Sequence, residues 1–193
     1  MKIILASHNE HKLVEIKDLF KDTDIEFISL KDLNFNKEIE ENGSTFEENA
    51  YIKAKTIYDM YHLPVLSDDS GLEIDALNNF PGIYSARYAN GDFIGAMNKI
   101  LTRLEGVTNR KADFNCTICY LDENGNKHVF EGVCYGEIGF EMSGKLGFGY
   151  DPIFYVNGIS FASMSLNEKN KISHRSIAFK KFYEYMLNTS KKY

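Results

Sequence analysis

Apolar and polar positions switch between two periods along this chain, and the switches outline its elements. Lys2 to Ala6 is a short apolar run that reads as a strand. After the polar stretch Ser7 to His11, residues Leu13, Val14, Ile16, Leu19 and Phe20 recur at helical spacing, so the chain opens with a βα unit. A second strand is expected near Ile25 to Leu30. Glu38 to Ser44 reads as an acidic, glycine-containing loop. Thr45 with Glu48 then gives a capping-box signature for a helix carrying Ala50, Ala54, Ile57, Tyr58 and Tyr61. Pro64 breaks that pattern. The next apolar run starts at Val65 and is expected to stop at Asp68, Asp69, Ser70 and Gly71.

A glycine- and proline-containing stretch, Asn78 to Gly91, precedes a helix with Phe93, Ile94, Met97, Ile100, Leu101 and Leu104 on its apolar side. Beyond Gly106 the period drops to two. Ala112 to Leu121 and Lys127 to Tyr135 alternate around Asp122-Glu123-Asn124-Gly125-Asn126, a hairpin signal that contains Asn-Gly. The glycine-dense loop Gly144 to Gly149 leads through Asp151-Pro152 into a strand, Ile153 to Val156. A helix from about Ser173 to Leu187 and a short basic tail close the chain. The pattern is that of a mixed α/β protein with a central sheet, flanking helices and an antiparallel hairpin.

Composition narrows this picture. The 193 residues, 44% of them hydrophobic, fit a single domain 1–193, with a hairpin lobe at about 107–145. A net charge of -6 argues against a general nucleic-acid or membrane-surface binder, because both need basic excess. The start of the chain has no apolar signal core, and no run reaches membrane-spanning length. The three cysteines make an odd set that suits reduced thiols in a cytoplasm. Cys116 and Cys119 form a C-x-x-C, but three residues apart on a strand they face opposite sides, so they read as core and surface thiols rather than a zinc pair.

Candidate chemistry falls into five constellations. Asp68 and Asp69 put two carboxylates where a strand is expected to end, the usual place for ligands in an open α/β sheet. They repel unless a cation compensates them, although Asp-Asp-Ser-Gly is also an ordinary turn. Ser7, Asn9 and Lys12 lie at the start of the first helix, where free amides and the helix dipole suit phosphate; plain capping with a solvated lysine is the bland alternative. Glu40 and Glu41 can join the Asp pair as oxygen ligands for Mg²⁺, or form a solvated acidic loop. Gly144 to Asp151 lets backbone approach a ligand closely and offers Phe148 or Tyr150 as a stacking ring. Lys169 with Ser173-His174-Arg175 can donate hydrogen bonds to a carbonyl-bearing purine edge, or lie on the surface.

In this order the motifs are specific. Ser-His-Asn-Glu-His-Lys (7–12), Glu-Glu-Asn-Gly-Ser-Thr-Phe-Glu-Glu-Asn-Ala (40–50) and Ser-Asp-Asp-Ser-Gly-Leu (67–72) are followed by three more. These are Phe-Pro-Gly-Ile-Tyr-Ser-Ala-Arg-Tyr (80–88), Gly-Phe-Gly-Tyr-Asp-Pro-Ile-Phe (147–154) and Ser-His-Arg (173–175). Over nearly its full length the chain resembles the inosine triphosphate pyrophosphatase family, the non-canonical purine (XTP/dITP) nucleoside triphosphate pyrophosphatases. His11 departs from the glycine that many relatives carry.

The resemblance implies an α/β fold of two lobes, a mixed central sheet with flanking helices, and an active site in the cleft between the lobes. It implies Mg²⁺-dependent cleavage of ITP, dITP or XTP between the α- and β-phosphates, and a cytoplasmic homodimer. Asp69 would be the general base and a metal ligand with Glu40, supported by Glu41 and Asp68, and ionised at neutral pH beside the metal. The substrate would be held by Ser7, His8, Asn9, Glu10, His11, Lys12, Lys53, Ser70, Phe148, Gly149, Tyr150, Asp151, Lys169, His174 and Arg175. A general phosphohydrolase or nuclease, and a nucleotide-binding module without turnover, are the competing readings.

Overall fold

In the computed structural model, which describes residues 1–190, the chain opens with β1 (Lys2–Leu5), where Ile3, Ile4 and Leu5 are all buried. Asn9 then caps α1 (Glu10–Leu19), its side chain accepting the Lys12 backbone N–H at 3.2 Å. The chain returns as β2 (Glu26–Ser29), parallel to β1 with Ile3 opposite Phe27. A loop and α2 (Phe46–Tyr61) carry it to β3 (Val65–Ile74), which joins the other side of β1, also parallel. Parallel strands need such helical crossovers, which the helical periods at 13–20 and 50–61 had indicated.

β4 (Phe80–Pro81) pairs antiparallel with β3. Then come α3 (Ser85–Ala89), α4 (Phe93–Arg103), β5 (Lys111–Leu121) and β6 (Lys127–Ile138). The short turn between β5 and β6 is the predicted hairpin; Asp122 accepts the backbone N–H groups of Asn124 and Asn126, both at 2.9 Å. β7 (Phe154–Val156), β8 (Ile159–Ser160), α5 (Leu166–Lys169) and α6 (His174–Ser190) complete the order. The basic tail expected after the last helix falls outside the described residues. The sheet runs β2-β1-β3-β5-β6-β7-β8, with β4 on β3. This is the mixed sheet with flanking helices that the pattern predicted.

The chain divides into two compact units. The first comprises Met1–Asp69, Cys116–Gly132 and the described residues from Ser176 onward; the second comprises Ser70–Asn115 and Val133–Arg175. In the first unit strand alternation feeds two cores. Ile3, Leu5, Leu66, Ile118 and Tyr120 pack with Ile16, Phe20, Phe179 and Phe182, while Ile4, Val65 and Leu121 pack with Ala50, Ala54 and Ile57. The second unit has one core, in which Leu72, Ile74, Met97, Ile100, Phe114, Phe154 and Phe161 meet. Each fully buried side chain of this kind contributes about 1.5–3 kcal/mol.

Four expectations are corrected. β3 does not stop at the carboxylates but continues through Asp68, Asp69, Ser70 and Gly71 to Ile74. The acids are tolerated inside a strand because lysines and an amide meet them there. Ile94 is 65% exposed although it belongs to the apolar pattern of α4. None of the cysteines is a surface thiol: Cys116 and Cys119 are buried in different cores, and burial pushes Cys119 up to about 12 and Cys134 up to about 11. Finally, Thr45 accepts the Glu48 N–H, but the Glu48 carboxylate bonds mainly to the Ser44 N–H and hydroxyl, with the Thr45 backbone a weaker contact.

Candidate active site

In the first unit, the two adjacent aspartates point to opposite faces of β3, as its period of two requires. Asp68 faces α1. Lys12 reaches it at 2.8 Å, with the lysine side chain 14% exposed and the aspartate 1% exposed. Lys12 is therefore not the solvated lysine of the bland reading, since a buried carboxylate requires a partner. Around it, Ser7 Oγ accepts the Asn9 N–H at 3.2 Å, and the His8 ring lies 3.0 Å from the Lys37 carbonyl and stacks on Phe35. Glu10 and His11 are exposed. The first turn of α1 thus presents its amides beside a lysine, the arrangement that binds phosphate.

Asp69 faces α2. Asn49 Nδ2 donates to its Oδ2 at 3.1 Å, while Lys53 Nζ stands 3.8 Å from its Oδ1 and 3.2 Å from Glu41 Oε1. Asn49 and Lys53 are four residues apart, hence on one helical face. The fully buried Ala50 and Ala54 let that face approach the strand closely. Burial pushes the Asp69 carboxyl above its usual range; Lys53, Lys12 and the Asn49 amide oppose this, and Glu41 reinforces it.

Glu40 is exposed on the acidic loop. Among the described residues no three His, Cys, Asp or Glu side chains gather into a protein-only metal cage. Mg²⁺ does not need one, because it takes one or two carboxylates and fills its remaining positions with waters and substrate phosphates. Glu41 and Asp69 already converge on one cation, the Lys53 ammonium, so this hard oxygen donor set fits such an ion.

In the second unit, the glycine-rich loop folds around Asp151. Its Oδ2 accepts the Phe148 N–H at 3.0 Å and the Lys169 ammonium at 2.7 Å. Gly147, at φ +72°, lies so close to this carboxylate that a Cβ would sit 2.1 Å from it, which explains the glycine. The Phe148 ring has the Lys169 ammonium 5.0 Å and the Arg175 guanidinium 5.6 Å from its centroid. Arg175 also donates to Ser70 Oγ at 3.2 Å, and His174 stacks on Phe114. Lys169, His174 and Arg175 are 3%, 4% and 3% exposed, so the surface reading of this segment fails. Gly149 sits at φ +66° beside Phe93, and the Tyr150 hydroxyl donates to the Ser85 carbonyl at 2.7 Å.

Residues 3–185 match the Ham1 family. The chain belongs to that family. Among its relatives, the dITP/XTP pyrophosphatase of Christiangramia forsetii is 47% identical over 190 residues, covering 96% of this chain and 99% of that protein. The protein of the same name from Thermoanaerobacter sp. strain X514 is 45% identical over 193 residues, covering 97% of each chain. The solved Ham1 protein of Staphylococcus aureus superposes with a TM-score of 0.88 at 39% identity, over 98% of this chain and 100% of that one. A HAM1 protein from Coxiella burnetii gives 0.89 at 42% identity, over 97% and 99%.

One residue of this Ham1 site was quoted in its sequence motif without a role. Asn49 looks like any polar residue in the first turn of a helix, and only its complete burial against Asp69 distinguishes it.

Proposed function

We propose that this Ham1-family protein hydrolyses the non-canonical purine nucleoside triphosphates ITP, dITP and XTP to the monophosphate and pyrophosphate. The effect is to remove these nucleotides from the pool before they enter DNA or RNA. The observation that carries the reading is the buried Asp69 carboxylate, held by Asn49 and faced by Lys53, in a chain 47% identical to a dITP/XTP pyrophosphatase.

In this reading Lys12 and the N-terminal end of α1 hold the triphosphate, with Ser7, His8, Asn9, Glu10 and His11 forming the turn around it. Lys53 offsets charge on the phosphates, and Ser70 contributes a hydroxyl. Asp69 accepts the proton of the attacking water, and the burial that raises its pKa makes it a better acceptor. Mg²⁺ would be held by Asp69 and Glu40 with Glu41 in support and would supply charge neutralisation at the phosphates. Asp68, expected from the sequence to support the metal, lies on the other face of β3 and acts through Lys12 instead.

Phe148 stacks on the purine, and Asp151, through Lys169 and the Phe148 N–H, fixes the loop that carries the ring; Gly149 and Tyr150 complete that loop. Lys169, His174 and Arg175 donate to a 6-keto group. Adenine presents an amino group there, and the cost of leaving buried donors unmatched rejects it. The same reading makes the protein a cytoplasmic homodimer that engages neither nucleic acid nor membrane.

A turnover panel of ITP, XTP, dITP, GTP and ATP tests this. ITP, XTP and dITP should be cleaved far faster than ATP. Equal turnover of ATP and ITP would leave a general phosphohydrolase as the better account.

A further inference from the structure

Five groups in the first unit form a closed ring of contacts. Glu41 meets Lys53 at 3.2 Å, Lys53 faces Asp69 at 3.8 Å, and Asp69 accepts from Asn49 at 3.1 Å. The Asn49 carbonyl oxygen in turn accepts the Gly43 backbone N–H at 2.9 Å, and Gly43 lies two residues beyond Glu41 on the acidic loop. The amide can be oriented in only one way. The Gly43 N–H is a donor, so the carbonyl must face it and the NH₂ must face Asp69. Gly43 itself admits no side chain: a Cβ there would lie 2.7 Å from Glu48 Cβ and 2.8 Å from Asn49 Oδ1. Asn49 is 0% exposed, so neither bond is exchanged with solvent.

We infer that Asn49 is a positioning residue for the reaction: its amide fixes the rotation of the Asp69 carboxylate and ties it to the loop carrying Glu40 and Glu41. One oxygen of Asp69 is held by the amide, which turns the other toward Lys53. The inference deepens the proposed pyrophosphatase reading and rests on it. It makes Gly43 and Asn49 one device, so damage at either end has the same consequence.

Asn49→Asp keeps the acceptor for Gly43 but replaces the donor to Asp69 with a like charge. Gly43→Ala displaces the amide by crowding Glu48 and Asn49 without touching Asp69. Asn49→Ala, which adds neither charge nor bulk, serves where either of these variants fails to fold. Each variant should lose roughly 10- to 100-fold in kcat toward ITP. Affinity for α,β-methylene ITP, measured by titration calorimetry, should stay within about threefold of wild type, because binding is not what the amide supplies. The Gly43→Ala/Asn49→Ala double variant should be no worse than the more impaired of Gly43→Ala and Asn49→Ala alone.

Wild-type kcat in these variants, or an affinity loss equal to the loss of kcat, would overturn the positioning role. Additive losses in the double variant would overturn the coupling between Gly43 and Asn49. A wild-type protein unable to turn over ITP, XTP or dITP would overturn the functional reading, and this inference with it.

Discussion

Two lysine–carboxylate pairs in this protein are built from the same residue types and serve different ends. In the second unit Lys169 meets Asp151 at 2.7 Å, both side chains nearly dry, and the same oxygen also accepts the Phe148 N–H. In the first unit Lys53 stands 3.8 Å from Asp69, beyond hydrogen-bond reach, and is nearer to Glu41 at 3.2 Å. By inverse distance alone the looser pair attracts about 30% less, and it also lacks the hydrogen bond. Asp151 is thus a fastener for the loop that carries Phe148. Asp69 keeps a carboxyl raised by burial and incompletely offset by its lysines, which suits a proton acceptor. In the proposed reaction, distance rather than residue type separates the carboxylate that fastens from the one that would accept the proton.

The sharpest break of this contrast is Asp69→Asn. It should cut kcat by about 10²–10⁴ while leaving the urea midpoint close to wild type. A variant with near-normal turnover would remove Asp69 from the reacting side of the comparison. Asp151→Ala should behave in the opposite sense. Removing the carboxylate from beside the buried Lys169 should cost up to about 3–5 kcal/mol of stability, read from urea unfolding. A loss below about 1 kcal/mol would mean that the pair fastens little.

Phe148→Ala, which keeps the fastener but removes the ring it holds, should raise KM for ITP roughly tenfold. An unchanged KM would detach the loop from base recognition.

The smallest effect concerns a second carboxylate cluster of the second unit. Burial, reinforced by the neighbouring Asp113, raises Glu73; burial, reinforced by Asp75 and opposed by Asn115, raises Asp113. Because the folded state binds more protons than the unfolded one just above the ordinary carboxylate range, stability should fall there as pH rises. Asp113→Asn should flatten that slope, as measured by unfolding at stepped pH; an unchanged slope would assign the dependence elsewhere.

What could be read in the sequence and what could not follow from the range of the interactions involved. The crossovers through α1 and α2 were legible because Leu13 to Phe20 and Ala50 to Tyr61 carry a local period. The hairpin was legible because Asn124-Gly125 specifies a turn on its own. The continuation of β3 through Asp68 and Asp69 was not, because what makes two buried acids tolerable is Lys12, 56 residues away, and Asn49, 20 residues away. The depth of Lys169, His174 and Arg175 was hidden for the same reason: isolated basic residues at helix ends look solvated until Asp151, Phe148 and Phe114 fold over them. Asn49 was invisible as anything but helix. Its role is set by a bond on each side of its amide, and neither is local to α2.

The central claim is that Asp69 and its neighbours cleave the α–β phosphoanhydride of a 6-keto purine triphosphate. Phosphorus-31 NMR of ITP incubated with the protein and Mg²⁺ tests it most directly. The account predicts inosine monophosphate and pyrophosphate in equal amounts, and neither when Asp69→Asn replaces wild type. Orthophosphate with inosine diphosphate as the products would contradict it.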